Sequence, residues 1–199
     1  MLSRTSESRS DLSPPATNPG RLSYPPHMPC SARRSEAVLR LAPPPDAATL
    51  VLAMHIRPFD PTDEDAVIRL WERCGLVRPW NDPRKDIRRK LRVRPDLFVV
   101  GVLADEIVAT VMAGYDGHRG WINYLAVAPE HQGHGLGRAI MAEAERRLRA
   151  TGCPKINLQI RRTNTGVIAF YEALGYREDD VLSMGKRLIS DDDKEPPDL

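Results

Sequence analysis

At 199 residues the chain can hold one ordinary domain with a real core, and its formal charge of +2 is too near balance for bulk nucleic-acid binding. No apolar run reaches the length of a membrane span. Cys30, Cys74 and Cys153 are odd in number, far apart and form no Cys-x-x-Cys pair. That argues against a zinc site and a disulfide framework, and makes a reduced, cytoplasmic setting the expectation.

The composition changes near residue 53. Residues 1–53 carry about half of the 18 prolines, among them Pro14-Pro15, Pro25-Pro26 and Pro43-Pro44-Pro45, with many serines. Such a segment buries too little apolar area to offset its ordering entropy, so a disordered extension is expected. Its arginines and serines faintly suggest a transit peptide, but Glu7, Asp11, Glu36 and Asp46 count against that, and the apolar core of a secretory signal is missing. Met54-His55-Ile56-Arg57 reads as the natural beginning of the folded domain, which makes the upstream part a translation-start artefact or a dispensable tail. Residues 190–199 read as an acidic C-terminal tail.

From Met54 the pattern is regular. A short strand covers Met54 to Pro58, and Thr62-Asp63-Glu64-Asp65 reads as a capping box opening a helix through Trp71 and Cys74. Asp82-Pro83 starts a second helix, with cap and N1 proline in the favoured order. Leu97 to Leu103, Ile107 to Gly114 and Trp121 to Ala128 read as strands, joined by turns at Ala104-Asp105-Glu106 and Tyr115 to Gly120. A long amphipathic helix from Leu136 to Ala150 stops at Gly152, a C′ glycine. Lys155 to Ile160 follows as a strand, Asn164 to Leu174 as a helix and Tyr176 to Leu188 as a final hairpin.

The most informative segment is Gln132-Gly133-His134-Gly135-Leu136-Gly137-Arg138, between a strand and the long helix. A strand, a glycine-rich turn and a helix aim unpaired N–H groups at one spot, and the helix dipole adds partial positive charge there. The turn therefore suits a phosphate or pyrophosphate. No lysine follows the glycines as a P-loop requires, and the turn comes too late in the chain for a dinucleotide fingerprint. His131-x-x-His134 lacks a third nearby ligand, so no metal is expected.

The pattern Gln-x-x-Gly-x-Gly after Tyr124-Leu125-Ala126-Val127-Ala128-Pro129 resembles the acetyl-CoA-binding motif of the GNAT N-acetyltransferase superfamily. Asn164-Thr165-Gly166-Val167-Ile168-Ala169-Phe170-Tyr171-Glu172-Ala173-Leu174-Gly175-Tyr176 resembles that superfamily's later motif, with Val167 where an alanine is commoner. The resemblance implies a GNAT fold over residues 54–189. This is an α+β fold with a mixed central sheet, helices on both faces and the order β-α-α-β-β-β-α-β-α-β-β. Trp80-Asn81-Asp82-Pro83, Gly114 to Gly120 and Cys153-Pro154-Lys155 are most similar to bacterial YpeA-type acetyltransferases.

The same resemblance implies acetyl-CoA as co-substrate, with no metal. Leu125, Ala126 and Val127 would hold the pantetheine arm by their main chain, and the Leu125 N–H would receive the thioester oxygen as charge develops. Gln132, Gly133, His134, Gly135, Leu136, Gly137 and Arg138 would form the pyrophosphate cradle. Asn164 would cap the last helix and reach the pantetheine. Tyr171 would protonate the departing thiolate. Arg161 and Arg162 read either as phosphate contacts or as solvated surface.

A base for the attacking ammonium is not evident. Trp121-Ile122-Asn123-Tyr124 carries no carboxylate, which leaves Asp116 and His118 in the neighbouring turn as the nearest titratable groups. The leading reading is an N-acetyltransferase acting on a small-molecule, peptide or protein amine, as a monomer or homodimer, without nucleic-acid or membrane partners. A catalytically weak acyl-CoA-binding sensor is the alternative, and a structural partner protein a third.

Overall fold

The computed structural model describes residues 46–191, which all lie in one compact unit. Most of the expected N-terminal extension and of the acidic tail lies outside the described residues. The last part of that extension does not follow the expectation: Ala47–Ala53 form a helix, α1. The Asp46 carboxylate accepts the Thr49 N–H at 2.7 Å, and Leu50 is buried against the domain. A short apolar run behind an Asp cap suffices for a docked helix, even next to three prolines.

Strands β1 (His55–Pro58), β2 (Phe98–Leu103), β3 (Glu106–Tyr115), β4 (Gly120–Val127) and β5 (Ile156–Asn157) form one sheet in sequence order. Neighbours are antiparallel except β4 and β5, which run parallel, so the sheet is mixed as expected. Helices α2 (Glu64–Arg73), α3 (Pro83–Leu91), α4 (Leu136–Ala150) and α5 (Thr165–Glu172), with three short 3-10 turns, complete the described elements. α2 buries Val67, Ile68, Leu70 and Trp71, and α4 buries Leu136, Ile140, Met141, Ala144 and Leu148. Both sets recur at helical spacing and make one apolar stripe per helix. No helix among the described residues is long and apolar enough to cross a membrane.

Three local expectations shift. The capping box lies two residues earlier than Thr62 to Asp65. Asp60 accepts the Thr62 N–H at 2.9 Å, and Asp63 accepts the Asp60 N–H at 2.8 Å, ahead of α2. Pro61 starts a 3-10 turn there, and Asp63 also takes the Arg57 guanidinium at 2.6 and 2.9 Å, tying β1 to α2. β5 is limited to two residues, paired with Gly120 and Trp121, and then parts from β4. No strand forms over residues 176–188: Val181, Leu182, Met184 and Leu188 are exposed, because so short a β5 provides no ladder to extend.

A buried polar relay shapes β4. Register runs Met112↔Asn123 and then Thr110↔Ala126, so Tyr124 and Leu125 together oppose Val111. This is a β-bulge, which bends the strand. Tyr124 has φ 49°, a strained value for a bulky residue. The fully buried Thr110 hydroxyl accepts the Trp71 indole N–H at 2.9 Å and donates to the Tyr124 carbonyl at 3.0 Å, which fixes the bulge.

Candidate active site

The glycine turn has the geometry that its sequence suggests. Gly133 and Gly135 have φ 78° and 86°, the left-handed region that a side chain disfavours. Gly137 sits where a Cβ would lie 3.3 Å from the Phe170 ring, so glycine lets α4 and α5 approach closely. None of the N–H groups of Gly133, His134, Gly135, Leu136, Gly137 and Arg138 has an acceptor among the described residues. They stand at the head of a 15-residue helix with no acidic residue in its first turn. Six unpaired donors on a helix dipole fit a pyrophosphate.

The side chains of that turn do other work. Gln132 donates its amide to the Val127 carbonyl at 3.0 Å, joining turn to strand, and the Arg138 guanidinium reaches the Ala173 carbonyl at 3.4 Å. Leu136 is fully buried, so its backbone alone faces the cradle. His134 keeps a buried Nδ1 without a hydrogen-bond partner.

Alongside, β4 has an open edge. Ala128 donates to the Val108 carbonyl at 2.8 Å, so by the antiparallel alternation the polar groups of Val127 point away from β3, toward the gap where β5 has diverged. The Val127 carbonyl is taken by Gln132 and by the Cys74 thiol at 3.3 Å. Burial pushes the Cys74 pKa up, which keeps the thiol protonated as a donor. Leu125 is the second residue of the bulge, and Ala126 is buried opposite Thr110.

Tyr171 lies on α5. Its ring packs edge-on against Phe170 and Tyr176, with centroids at 5.1 and 5.4 Å, and it is 6% exposed. Its hydroxyl has no hydrogen-bond partner among the described residues. Burial holds its pKa well above the usual phenol value. The hydroxyls of Tyr115, Tyr124 and Tyr176 are bonded to Gly117, Asp86 and Glu145, which leaves Tyr171 as the uncommitted phenol among the described residues. Asn164 occupies the N-cap position of α5 without a side-chain cap bond, so capping does not account for it.

The expected base candidates, Asp116 and His118, lie in the turn after β3. Asp116 accepts the His118 and Arg119 N–H groups at 2.8 and 2.7 Å and the Trp121 indole N–H at 3.0 Å. The Arg119 and His118 N–H groups and that indole hold its carboxyl down at about 2, which makes Asp116 an anchor of its own turn and a weak base. His118 is exposed, with Nδ1 3.4 Å from the Arg119 guanidinium.

A different carboxylate stands beside the bulge. Asp86 on α3 accepts the Tyr124 hydroxyl at 2.6 Å, the Asn81 amide at 3.4 Å and the Arg89 guanidinium at 3.0 Å. The Tyr124 ring stacks on Trp71 with centroids 4.0 Å apart. Arg89 continues to Asp191 at 2.5 Å, and Asp191 accepts the Asp82 N–H at 2.7 Å. Sequence reasoning named the Trp80-Asn81-Asp82 segment and passed over Asp86, whose one signal was its place a helical turn beyond the Asp82 cap. Asp82 itself caps α3 through the Arg84 and Lys85 N–H groups, as expected.

The unpaired N–H groups at the head of α4 thus stand beside a bulged and half-open strand. The chain belongs to the acetyltransferase (GNAT) family, whose profile matches residues 63–176. Members of this family use acetyl-CoA as co-substrate. The chain is 53% identical over 139 residues to an acetyltransferase of Sodalis glossinidius (strain morsitans), covering 69% of this chain and 98% of that one. It is 53% identical over 138 residues to an acetyltransferase of Pectobacterium atrosepticum, with the same coverage of 69% and 98%. Among solved structures it is similar to Ard1 from Thermoplasma volcanium, at 26% identity and TM-score 0.56, over 62% of this chain and 82% of that one. The fold is shared with the ribosomal-protein-S18-alanine N-acetyltransferase from Escherichia coli, at 22% identity and TM-score 0.54, over 63% and 79% of the two chains. Among the described residues, no group of three or more His, Cys, Asp or Glu side chains is placed to hold a metal ion.

Proposed function

We propose that this acetyltransferase moves the acetyl group of acetyl-CoA directly to a primary amine, small or peptidic. The observation that carries the reading is the row of six unpaired N–H groups from Gly133 to Arg138 at the head of α4, next to the open edge of β4. The cradle would hold the pyrophosphate, and the main chain of Leu125 to Val127, with the outward N–H of Val127 foremost and with Asn164, would hold the pantetheine.

The chain's own groups then have distinct tasks. Asp86, beside the bulge, draws the acceptor ammonium in by its charge, and the amine attacks in its neutral form after giving its proton to water. The Leu125 N–H carries the negative charge that develops on the carbonyl oxygen as the C–N bond forms. Tyr171 gives its proton to the sulfur as the C–S bond breaks, and its raised pKa keeps it protonated at neutral pH. A carboxylate at Asp86 favours catalysis over the sensor reading, whose support was the lack of one on β4.

The test is thiol release from acetyl-CoA across a panel of primary amines. Amine-dependent release is expected, whereas binding without release under every amine refutes the transferase reading. Asp86→Asn should raise the KM for the amine while acetyl-CoA affinity holds. An unchanged amine KM removes Asp86 from the site.

A further inference from the structure

The segment just before the domain faces the cofactor turn. α1 packs against α4, and the Val51 methyl lies 3.3 Å from where a Cβ on Gly135 would stand. Between them is a cleft of about 610 Å³, with Ala48, Val51 and Leu52 on one wall and the turn Gly133 to Gly135 on the other. The groove is shallow and open to solvent along its length.

Two functions are open to a helix in this position, and the geometry separates them. A plug that imitated the anion would satisfy the donors that it covers. α1 does not: none of its atoms accepts a hydrogen bond from the turn, and it has no acidic residue in its first turn. It presents small apolar side chains across an open cleft and leaves the cradle free to bind an anion. Leu52 is 88% exposed on the same helix, an apolar surface with no partner in the domain. An apolar shelf beside a pyrophosphate cradle matches a ligand that continues from its phosphates into a flat heteroaromatic ring, since such a ring buries its faces on aliphatic carbon.

We infer that α1 forms the second wall of the cofactor site, and that the nucleotide end of acetyl-CoA lies in the cleft between α1 and Gly133 to Gly135. This rests on the acetyl-CoA reading above and extends it to residues upstream of Met54. The N-terminal helix then contributes to cofactor affinity and is not a dispensable tail.

The experiment is calorimetry on the full chain with two probes, acetyl-CoA and S-acetyl-pantetheine, which lacks the nucleotide and pyrophosphate. Ala48→Glu places a carboxylate on the exposed wall, and Ala48→Arg is its charge-reversed control. A like charge about 6 Å from a phosphate in a half-solvated cleft is worth on the order of tenfold in affinity. Ala48→Glu should weaken acetyl-CoA by about that factor and leave S-acetyl-pantetheine unchanged, while Ala48→Arg should bind acetyl-CoA as well as or better than the parent. Leu50→Asp, which releases α1 from the domain, should also weaken acetyl-CoA; circular dichroism checks that the rest stays folded. Unaltered acetyl-CoA affinity in Ala48→Glu overturns the inference, as does tighter binding in Leu50→Asp, which would make α1 a plug. If the parent chain binds no acetyl-CoA, the cofactor reading itself fails, and this inference with it.

Discussion

Removing the Tyr171 hydroxyl separates catalysis from packing. Tyr171→Phe retains the ring, and with it the edge-on contacts to Phe170 and Tyr176. The hydroxyl bonds to no described residue, so no hydrogen bond is lost, and stability should stay within about 0.5 kcal/mol of the parent. The effect on rate is different. General acid catalysis is worth roughly 10²–10⁴-fold, or about 3–5 kcal/mol of barrier. The upper part of that range applies here, because the Tyr124 and Tyr176 hydroxyls are committed to Asp86 and Glu145 and no neighbouring phenol is free to substitute. Under single-turnover conditions the rate constant should fall by ~10³–10⁴-fold, with acetyl-CoA affinity by calorimetry unchanged. The defect should shrink for an acyl donor with a more acidic leaving thiol, which needs less protonation. Near-parental turnover where chemistry limits the rate would refute the assignment and return Tyr171 to packing.

Other consequences follow from the same geometry. Gly135→Val forces a β-branched residue to φ 86° with its Cβ against Val51. It should cost about 1–3 kcal/mol of stability and weaken acetyl-CoA binding at least ~tenfold; parental affinity would dismiss the pyrophosphate assignment. Thr110→Val leaves the Trp71 indole N–H and the Tyr124 carbonyl without their partner, so urea denaturation should show a loss of roughly 2–4 kcal/mol. A change under about 0.5 kcal/mol would mean that the relay does not hold the bulge. Glu143 is held by the Arg146 and Arg147 guanidiniums, and its carboxyl drops from 4.5 to about 2. Because the folded pKa is depressed, its stabilisation is present above pH 4.5 and is lost as pH falls toward 2. Glu143→Gln should therefore be less stable at neutral pH and show a flatter acid limb in denaturation against pH; superimposable limbs would contradict the pairing.

What was legible in the sequence was what neighbouring residues decide. The glycine turn could be read because Gly133 and Gly135 stand where the backbone needs positive φ, and a helix must leave its first N–H groups unpaired. Asp82-Pro83 could be read for the same reason, as cap and first turn are adjacent. The bulge could not. Tyr124 is a poor residue for φ 49°, and it is held there by Trp71, Thr110 and Asp86, all distant along the chain. Asp86 was missed with it, since its role depends on where Tyr124 points. Asp116 was legible as a titratable turn residue, but its three donors, which spoil it as a base, come from the fold of that turn. α1 was hidden by averaging: the prolines at 43–45 masked a capped apolar helix immediately behind them.

The central claim is that an acetyl group leaves sulfur and arrives on nitrogen. The direct measurement is to incubate the full chain with acetyl-CoA labelled in the acetyl group and a panel of primary amines, then identify the labelled product by mass spectrometry. The account predicts label in an amide of the acceptor, formed in step with free thiol and lost in Tyr171→Phe. Label found only as free acetate, or retained on the thioester with every amine, would contradict it.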